Sequence, residues 1–363
     1  NLDFAILYRT NAQSRSFEEA FRKLNLPYKI YGGLSFYQRK EIKDLLAYFR
    51  LTANHNDEES LKRIINYPKR GLGKTTIEKA LLCANQNETT IWNVLENPMS
   101  FGFNCNSGTA NKIDGFVTKI KSFKSQIEST SAFELAHEIA KSSGILNELY
   151  NDRTPEGIVR HENIQELLNA ISEFSESQKD DTEKEATLTD FLIDVALLTD
   201  VDNEKEEDKD KITLMTIHAA KGLEFPYVYI VGMEENLFPS QLSLNSRTNL
   251  EEERRLFYVA LTRAKKKAIL SYAVSRYRWG NFTSCEPSRF IEEIDECFLE
   301  KINEKKHSFS SSSSKRSINQ TTYPPKRNLK KVSTINKSLT NNKDLENIKV
   351  GTEVSHEKFG KGK

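Results

Sequence analysis

The sequence predicts an α/β fold in which a mostly parallel sheet is interrupted by an all-α insertion. Short apolar runs typical of buried strands lie on both sides of the insertion, at Phe4-Ala-Ile-Leu-Tyr8 and Tyr227-Val-Tyr-Ile-Val231. From about residue 40 to 200, apolar residues instead recur at helical spacing. Strands that alternate with helices indicate a parallel sheet with helical cover, so the two outer pieces are expected to complete one sheet.

Residues 1–39 predict a strand, a helix and a second strand. The first strand is Phe4–Tyr8, and the second begins at Tyr28 and closes at Gly32-Gly33. Residues 40–201 predict the helical insertion, because three apolar stripes recur there at helical spacing. Those stripes are Ile42, Leu45, Leu46 and Phe49; Ile164, Leu167, Leu168 and Ile171; and Leu188, Phe191, Leu192 and Val195.

Residues 202–300 return to the α/β pattern. They predict strands at 212–217, 227–231 and 268–272, with a helix at about 250–264. Residues 301–347 are rich in Ser and Lys and are expected to be a disordered linker. Residues 348–363 predict a strand, a turn and a strand, the start of a small β module that the sequence cuts short.

The composition limits the classes of function. A net charge of +1 hides a basic tail, since residues 305–363 carry 14 Lys or Arg against 4 Asp or Glu. The four cysteines form no CxxC pair, which argues against zinc and favours free thiols in a reducing cytoplasm. No apolar run approaches the roughly 20 residues that cross a bilayer. Because the chain opens almost directly on a strand and lacks an initiator Met, we expect a fragment of a longer protein.

The most informative segment is Thr213-Leu-Met-Thr-Ile-His-Ala-Ala-Lys-Gly-Leu-Glu-Phe225. A buried strand there leads into a polar loop, which in parallel sheets is where nucleotides and polynucleotides bind. His218 is a candidate for contact with a phosphate or a base, Gly222 permits a tight turn, and Glu224 is a candidate acceptor for a ribose hydroxyl. The alternative is a satisfied loop histidine beside a surface acid.

The second segment is a helix that opens on Glu251-Glu252-Glu253, as the first turn of a helix favours, and ends at Thr262-Arg263. An arginine at that position can reach a neighbouring domain and stabilise charge on a γ-phosphate. The alternative is an ordinary arginine at the C-terminal end of a helix.

Pro68-Lys-Arg-Gly-Leu-Gly-Lys-Thr-Thr76 resembles the end of a phosphate-binding P-loop. We reject that interpretation, because the motif needs Gly where Pro68 stands and because the preceding segment predicts a helix. A helix-hairpin-helix fits better: the backbone N–H groups of its turn bind a DNA phosphate, and flanking cations add charge. The candidate residues are Arg70, Gly71, Leu72, Gly73 and Lys74. The alternative is a plain hairpin between two helices.

Tyr8-Arg-Thr-Asn-Ala-Gln-Ser-Arg15 places Arg9 and Asn11 after the first strand, where such side chains suit single-stranded nucleic acid. The alternative is a helix N-terminus capped by Asn11 or Ser14.

In their order and spacing, these segments resemble the second half of UvrD/PcrA/Rep-type superfamily 1 DNA helicases over nearly the whole chain. The resemblance implies that residues 1–39 and 202–300 form the second RecA-like domain and that 40–201 form its duplex-contacting insertion. It also implies that 348–363 begin a Tudor-like module, which in relatives docks RNA polymerase.

The resemblance further implies ATP with Mg²⁺ as cofactor, and single-stranded and duplex DNA as partners. Glu224 and Gly222 match the nucleotide-binding loop, and Arg263 matches the γ-phosphate arginine. Arg9, Asn11 and His218 match single-strand contacts, whereas Arg70 to Lys74 match the duplex hairpin, with Leu72 where Ile is commoner.

One departure from the family pattern limits these expectations. The 363 residues contain no Walker A lysine and no acidic Mg²⁺-binding pair, and these groups carry most of phosphoryl-transfer catalysis. We therefore expect no ATP hydrolysis from this chain alone. Two rivals stay open: a non-catalytic DNA-binding or polymerase-docking protein on the same scaffold, and the motor half of a helicase–nuclease, against which the lack of a nuclease cluster after residue 300 argues.

Overall fold

A computed structural model gives the fold. It describes residues 1–179, 185–200, 210–278, 281–301, 354–356 and 360–362. Residues 1–301 form one compact unit and residues 302–363 a second. In the second unit, β8 (Val354–His356) and β9 (Gly360–Gly362) pair antiparallel, as the predicted strand, turn and strand require. The predicted linker lies almost wholly outside the described residues, and so does the predicted boundary at 201/202.

A five-stranded parallel sheet with the order β2-β3-β1-β4-β5 forms the centre of the first unit. Its strands are β1 (Phe4–Tyr8), β2 (Tyr28–Ile30), β3 (Ile212–Thr216), β4 (Phe225–Ile230) and β5 (Ala264–Leu270). An antiparallel hairpin follows, formed by β6 (Ser275–Arg278) and β7 (Asn281–Ser284). The predicted α/β class is therefore confirmed.

The last strand of the sheet begins four residues earlier than its apolar run predicts, at Ala264 instead of Ala268. The apolar pattern does not reveal this start, because the run Lys265-Lys266-Lys267 is typical of a polar loop. β5 is an edge strand, and its three lysines are exposed. Charged side chains are common on such edges, where they discourage pairing with another chain.

Successive residues of β1 point to opposite faces of the sheet and thereby define two cores. Ala5 and Leu7 pack with Phe257 and Phe290 on one face. Ile6 and Tyr8 pack on the other face against the helix that follows β1. The central strand is thus buried on both sides, as its apolar run predicts.

The chain segment between β2 and β3 is helical where it is described, and it has its own hydrophobic core. All three predicted apolar stripes belong to this core, with Leu192 at its margin. The helices of the first unit are α1 (Ser14–Lys23), α2 (Lys40–Ala53), α3 (Glu58–Ile64), α4 (Lys74–Gln86), α5 (Ile91–Glu96), α6 (Ser107–Lys124), α7 (Ala132–Ser142), α8 (Ile145–Asn151), α9 (Pro155–Lys179), α10 (Leu188–Asp200), α11 (Arg247–Leu261) and α12 (Arg289–Glu292). Within the described ranges, none of them combines the length and apolarity that a membrane span needs. The domain boundary at residue 39/40 stays a prediction.

Two buried arginines join the helical segment to the sheet. Arg15 of α1 is 3% exposed and contacts Glu166 and Glu173 of α9 at 2.7 and 2.8 Å. Arg39 donates to Asn163 Oδ1 of α9 and to Ser14 Oγ at 2.9 and 2.8 Å. Buried charges are stable only when they are paired and hydrogen-bonded, so these contacts fix where α9 lies beside the sheet.

α11 begins at Arg247, so the expectation that Glu251–Glu253 form its first turn is wrong. The backbone of Ser246 accepts the first helical hydrogen bond, from Leu250 N at 2.9 Å. The acidic run therefore lies in the second turn, where the helix dipole gives it little stabilisation. A specific partner, Arg9, stabilises Glu253 instead.

Candidate nucleic-acid and nucleotide interface

The predicted site residues divide between opposite edges of the parallel sheet. Arg9 follows β1 and His218 follows β3, which places both at the carboxyl edge. Glu224 directly precedes β4 and Arg263 directly precedes β5, which places both at the amino edge. The segment 218–224 therefore returns from one edge of the sheet to the other. The expectation that His218 and Glu224 share a single ligand-facing edge is wrong.

At the amino edge, the pairing of Phe225 with Ala264 sets Glu224 beside Arg263. The Arg263 guanidinium donates to Leu223 O at 2.9 Å and to Val259 O at 3.0 Å. The Glu224 carboxylate is 57% exposed and lies 3.6 Å from the ammonium of Lys265. Two cations and one carboxylate therefore lie together at the loop that precedes β4.

Gly222 has the positive φ of +86° that the tight turn was predicted to need. This left-handed conformation favours glycine, because a Cβ would crowd the backbone there. The turn lets the chain reach Glu224 at the amino edge within a few residues of β3.

This group fits one side of a nucleotide site. An exposed carboxylate accepts hydrogen bonds from hydroxyl groups such as those of ribose, and a guanidinium matches phosphate oxygens. Within the described ranges, no group of three or more His, Cys, Asp or Glu side chains is arranged to hold a metal ion. By their chemistry, Glu224 is suited to a sugar hydroxyl and Arg263 to a phosphate.

At the carboxyl edge, Arg9 and Glu253 form a two-pronged ion pair. The Arg9 Nη2 lies 2.6 Å from Glu253 Oε1, and its Nε lies 3.0 Å from Oε2. Glu253 is buried and also accepts from Ser243 Oγ at 3.3 Å. Arg9 keeps 22% of its side chain exposed, so its contacted edge is fixed while part of the guanidinium faces water.

Partial shielding from water and the positive charge of Arg9 hold the pKa of His218 below its ordinary value of 6.5. The imidazole is therefore neutral near pH 7. A neutral ring is suited to stacking on a base or to hydrogen bonding, more than to pairing with a phosphate as a cation.

The first turn after β1 is organised by Gln13. Its Oε1 accepts from the backbone N–H groups of Arg9 and Thr10 at 3.0 and 2.9 Å. The alternative that Asn11 or Ser14 caps α1 is wrong, since the helix begins at Ser14 after Gln13 and has no side-chain cap. Asn11 is half-buried, and its backbone carbonyl accepts from Arg39.

The hairpin predicted at residues 70–74 lies between two helices, α3 and α4, so the helix expected before it is confirmed. Arg70 turns inward. Its guanidinium donates to the carbonyls of Ile64 and Tyr67 at 2.9 and 3.0 Å and to the Tyr48 hydroxyl. Arg70 thus holds the end of α3 in place, and its guanidinium is already engaged by acceptors of the chain.

Asn66 and Leu72 fix the turn itself. Asn66 Oδ1 accepts from the N–H groups of Arg70 and Leu72, both at 3.0 Å, and the Leu72 side chain is buried. The N–H groups of Gly71, Gly73, Lys74 and Thr75 find no acceptor in the described part of the chain. They lie in an exposed turn, and the Lys74 side chain is 90% exposed. Such N–H groups suit a phosphate.

Lys112 of α6 lies against the hairpin turn and was not predicted from the sequence. Its Nζ lies so close to Gly71 that a Cβ on that glycine would be 2.8 Å away. It therefore adds a cation directly over the turn. Nothing in the sequence indicates this contact, because Lys112 comes from a different helix and has no motif of its own.

A crevice of about 610 Å³ was also not predicted. We name it the α9 crevice: one wall is the α9 face that carries Glu162, Gln165, Glu166 and Asn169, and the other consists of residues that follow β1, β4 and β5. Its lining includes Thr10, the residue that follows Arg9 in the chain.

Comparison with known proteins identifies a matching family and several similar proteins. The family described as UvrD-like helicase C-terminal domain matches residues 1–275. The chain is 40% identical over 365 residues to the ATP-dependent DNA helicase PcrA of Bacillus subtilis, covering 99% of this chain and 47% of the relative. It is 40% identical over 364 residues to PcrA of Staphylococcus aureus strain Mu50, with the same two coverages. The chain thus spans about half the length of the curated relatives that it matches.

Proposed function

Because this chain belongs to the family of UvrD-like helicase C-terminal domains, we propose that it is the C-terminal part of an ATP-dependent 3′–5′ DNA helicase. The longer protein would couple ATP hydrolysis to movement along single-stranded DNA and to unwinding of the duplex. Within it, residues 1–39 and 202–300 would be the second RecA-like domain. Residues 40–201 would be its duplex-contacting insertion.

The observation that carries the proposal is the adjacency of Glu224 and Arg263 at the amino edge of the sheet. In this role Glu224 accepts hydrogen bonds from the ribose, and Gly222 shapes the loop that presents it. Arg263 is the catalytic residue of this half and stabilises charge on the γ-phosphate. Transfer of the γ-phosphoryl group of ATP to water would supply the free energy for movement, and the Mg²⁺ ligands would belong to the other half.

The DNA contacts lie elsewhere on the unit. Arg9, Asn11 and His218 would hold single-stranded DNA along the carboxyl edge, where a fixed guanidinium and a neutral ring suit backbone and bases. Gly71, Leu72, Gly73 and Lys74 would hold a duplex phosphate through backbone N–H groups and charge. Arg70 would support that turn from within. Because the DNA contacts and the nucleotide residues lie at different parts of the unit, it could bind DNA and complete a nucleotide site at the same time.

The remaining parts of the proposal concern cellular context. The protein would act in DNA repair or replication in the bacterial cytoplasm. The module that begins at residue 348 would dock RNA polymerase, as the family resemblance implies. The antiparallel pair β8 and β9 supports a β module there.

Replacement of Arg263 in the longer protein tests the catalytic role. We expect Arg263→Ala to lower DNA-stimulated ATP hydrolysis by roughly 10³-fold, because transition-state charge loses its counterion. The affinity for single-stranded DNA should change little, since the DNA residues lie at the opposite edge. Steady-state ATPase assays and fluorescence anisotropy measure the two quantities.

Arg255→Ala is the matched control, because Arg255 is a 77% exposed arginine of α11, the helix that ends just before Arg263. Thermal unfolding of both variants checks that Arg263→Ala remains folded despite its lost contacts with Leu223 and Val259. A near-normal turnover in a folded Arg263→Ala protein would contradict the proposal.

A further inference from the structure

The α9 crevice places a polar stripe of a long helix on the wall of a half-open cleft. Glu162, Gln165, Glu166 and Asn169 recur at spacings of three and four residues, which places them on one face of α9. All four line the crevice. Concave sites that bind a ligand typically carry a small number of polar groups that fix its orientation.

Asn169 supplies the strongest indication of a ligand. The residue is 8% exposed, and its Oδ1 is buried with no hydrogen-bond partner in the described residues. Its Nδ2 donates to Glu166 Oε2 at 3.4 Å, which identifies the other end of the amide as the acceptor. A buried acceptor without a donor is unfavourable, so a donor from outside the chain would be stabilised here.

The lining carries three carboxyl groups and one arginine, Arg276, and therefore favours an amine over a phosphate. Glu166 is paired with Arg15, and Glu234 is paired with Arg276. Glu162 adds a further carboxyl group, and burial raises its pKa. Carboxyl groups repel a phosphate, whereas each of them accepts a hydrogen bond from an N–H group.

The opposite wall offers aromatic surface. Tyr272, the second residue after β5, lines the crevice and is 49% exposed, and Tyr277 of β6 lines it as well. Aromatic rings stack on bases of every kind, and each stacked base contributes appreciably to affinity. An uncharged, planar, amine-bearing ring therefore matches both walls.

We propose that the α9 crevice receives one unstacked base of single-stranded DNA and that Asn169 Oδ1 accepts a hydrogen bond from its exocyclic amine. The inference depends on the proposed single-strand binding, because Thr10, which lines the crevice, directly follows Arg9 in the chain. It adds a preference: adenine and cytosine present an amine where guanine and thymine present a carbonyl oxygen. A carbonyl at that point would face Asn169 Oδ1 and the carboxyl groups.

Two strands of equal length test the preference with a single chemical change. Oligodeoxycytidylate and oligodeoxyuridylate differ only in the group at the 4-position of the ring and its effect on the adjacent nitrogen. We expect the 363-residue chain to bind the cytidine strand roughly tenfold more tightly near neutral pH, as one well-placed hydrogen bond implies. Fluorescence anisotropy measures both affinities.

Asn169→Leu should abolish the difference between the two strands, and the exposed Asn111→Leu of α6 should keep it. Tyr272→Leu provides a second variant in case Asn169→Leu unfolds, because Tyr272 is half-exposed. We expect Tyr272→Leu to weaken binding of the cytidine strand severalfold with an unchanged unfolding midpoint.

The outcomes separate the inference from the function on which it depends. Equal affinity of the unchanged chain for both strands overturns the base site but leaves single-strand binding intact. A preference that survives in folded Asn169→Leu also overturns it. If the chain binds neither strand, or if the double change Arg9→Gln with His218→Ala weakens neither, the proposed single-strand contact fails instead.

Discussion

The Arg9 guanidinium is held by both carboxylate oxygens of Glu253, and this pair sets the electrostatic surroundings of His218. The positive charge of Arg9 lowers the pKa of the imidazole, while Glu253 acts in the opposite direction. Replacement of Arg9 would therefore remove a nearby cation and also leave the Glu253 carboxylate without its partner. Both effects change the pKa of His218 in the same direction.

We expect Arg9→Gln to raise the pKa of His218. The change removes a neighbouring cation and leaves the charge of Glu253 uncompensated, and each effect favours the protonated imidazole. An NMR titration of the His218 ring measures the shift. Lys43→Gln, an exposed change on α2, serves as the control. An unchanged or lowered pKa in Arg9→Gln would show that Arg9 does not govern the histidine.

Glu234 gives a second prediction at this scale. Burial alone would raise its pKa, but hydrogen bonds from Arg276 and from Ala273 N, at 2.9 Å for the latter, outweigh burial and hold the pKa below its ordinary 4.5. The unfolded chain therefore binds a proton more readily than the folded one in that range. The stabilisation is fully present above pH 4.5 and is lost as the pH falls through the lower, folded-state pKa.

Glu234→Gln should lower the free energy of unfolding near neutral pH by about 2 kcal/mol, the usual contribution of a charged hydrogen bond. The difference from the unchanged protein should shrink below pH 4.5, where the unchanged protein loses the same contribution. Urea unfolding over a pH series measures both. Glu252→Gln, an exposed carboxylate of α11, is the control. A difference that stays constant on acidification would refute the assignment.

At the scale of elements, the hairpin between α3 and α4 depends on one glycine. Gly71 has φ of +71°, and a Cβ there would lie 2.8 Å from Lys112 Nζ. The backbone conformation therefore opposes a side chain at this position, and the end of the flexible Lys112 side chain would have to move aside. The same turn carries the N–H groups proposed for the duplex phosphate.

We expect Gly71→Ala to destabilise the helical segment by about 1–3 kcal/mol and to weaken binding of duplex DNA, with single-strand affinity unchanged. Gly115→Ala in α6 is the matched control with the opposite sign. Its Cβ would meet nothing within 4 Å, so the helix should gain about 0.5–1 kcal/mol. Urea unfolding and anisotropy with both kinds of DNA measure these effects. Equal stability of the two variants would contradict the role of Gly71.

For the whole molecule, the sequence predicts those features that depend on the local spacing of apolar residues. The central strand Phe4–Tyr8 and the three helical stripes follow from apolar spacing, and their burial confirms them. Glu253 illustrates the limit. Its acidic neighbours suggest a solvated first turn, yet a partner far away in sequence holds it in the interior.

The candidate site shows the same division between local and distant information. Motif residues such as His218 and Glu224 can be found from the sequence, but their separation to opposite edges depends on strand direction and register. Lys112 and Asn169 carry no motif, because their roles arise from contacts between elements. Only the packed structure brings such residues to a site.

The arrangement of the whole unit leads to the last prediction: the 363-residue chain binds single-stranded DNA but does not hydrolyse ATP. In the proposed role, Arg263 and Glu224 contact only the ribose and a phosphate of ATP, and the sequence has no Walker A lysine to position the phosphates. DNA-stimulated phosphate release from the purified chain should equal that of its Arg263→Ala variant and of buffer alone. Addition of a separately purified ATP-binding half of the parent should raise the rate only with Arg263 present. Hydrolysis by the chain alone that DNA stimulates would show that these residues form a complete site, and the division of the motor between two halves would be wrong.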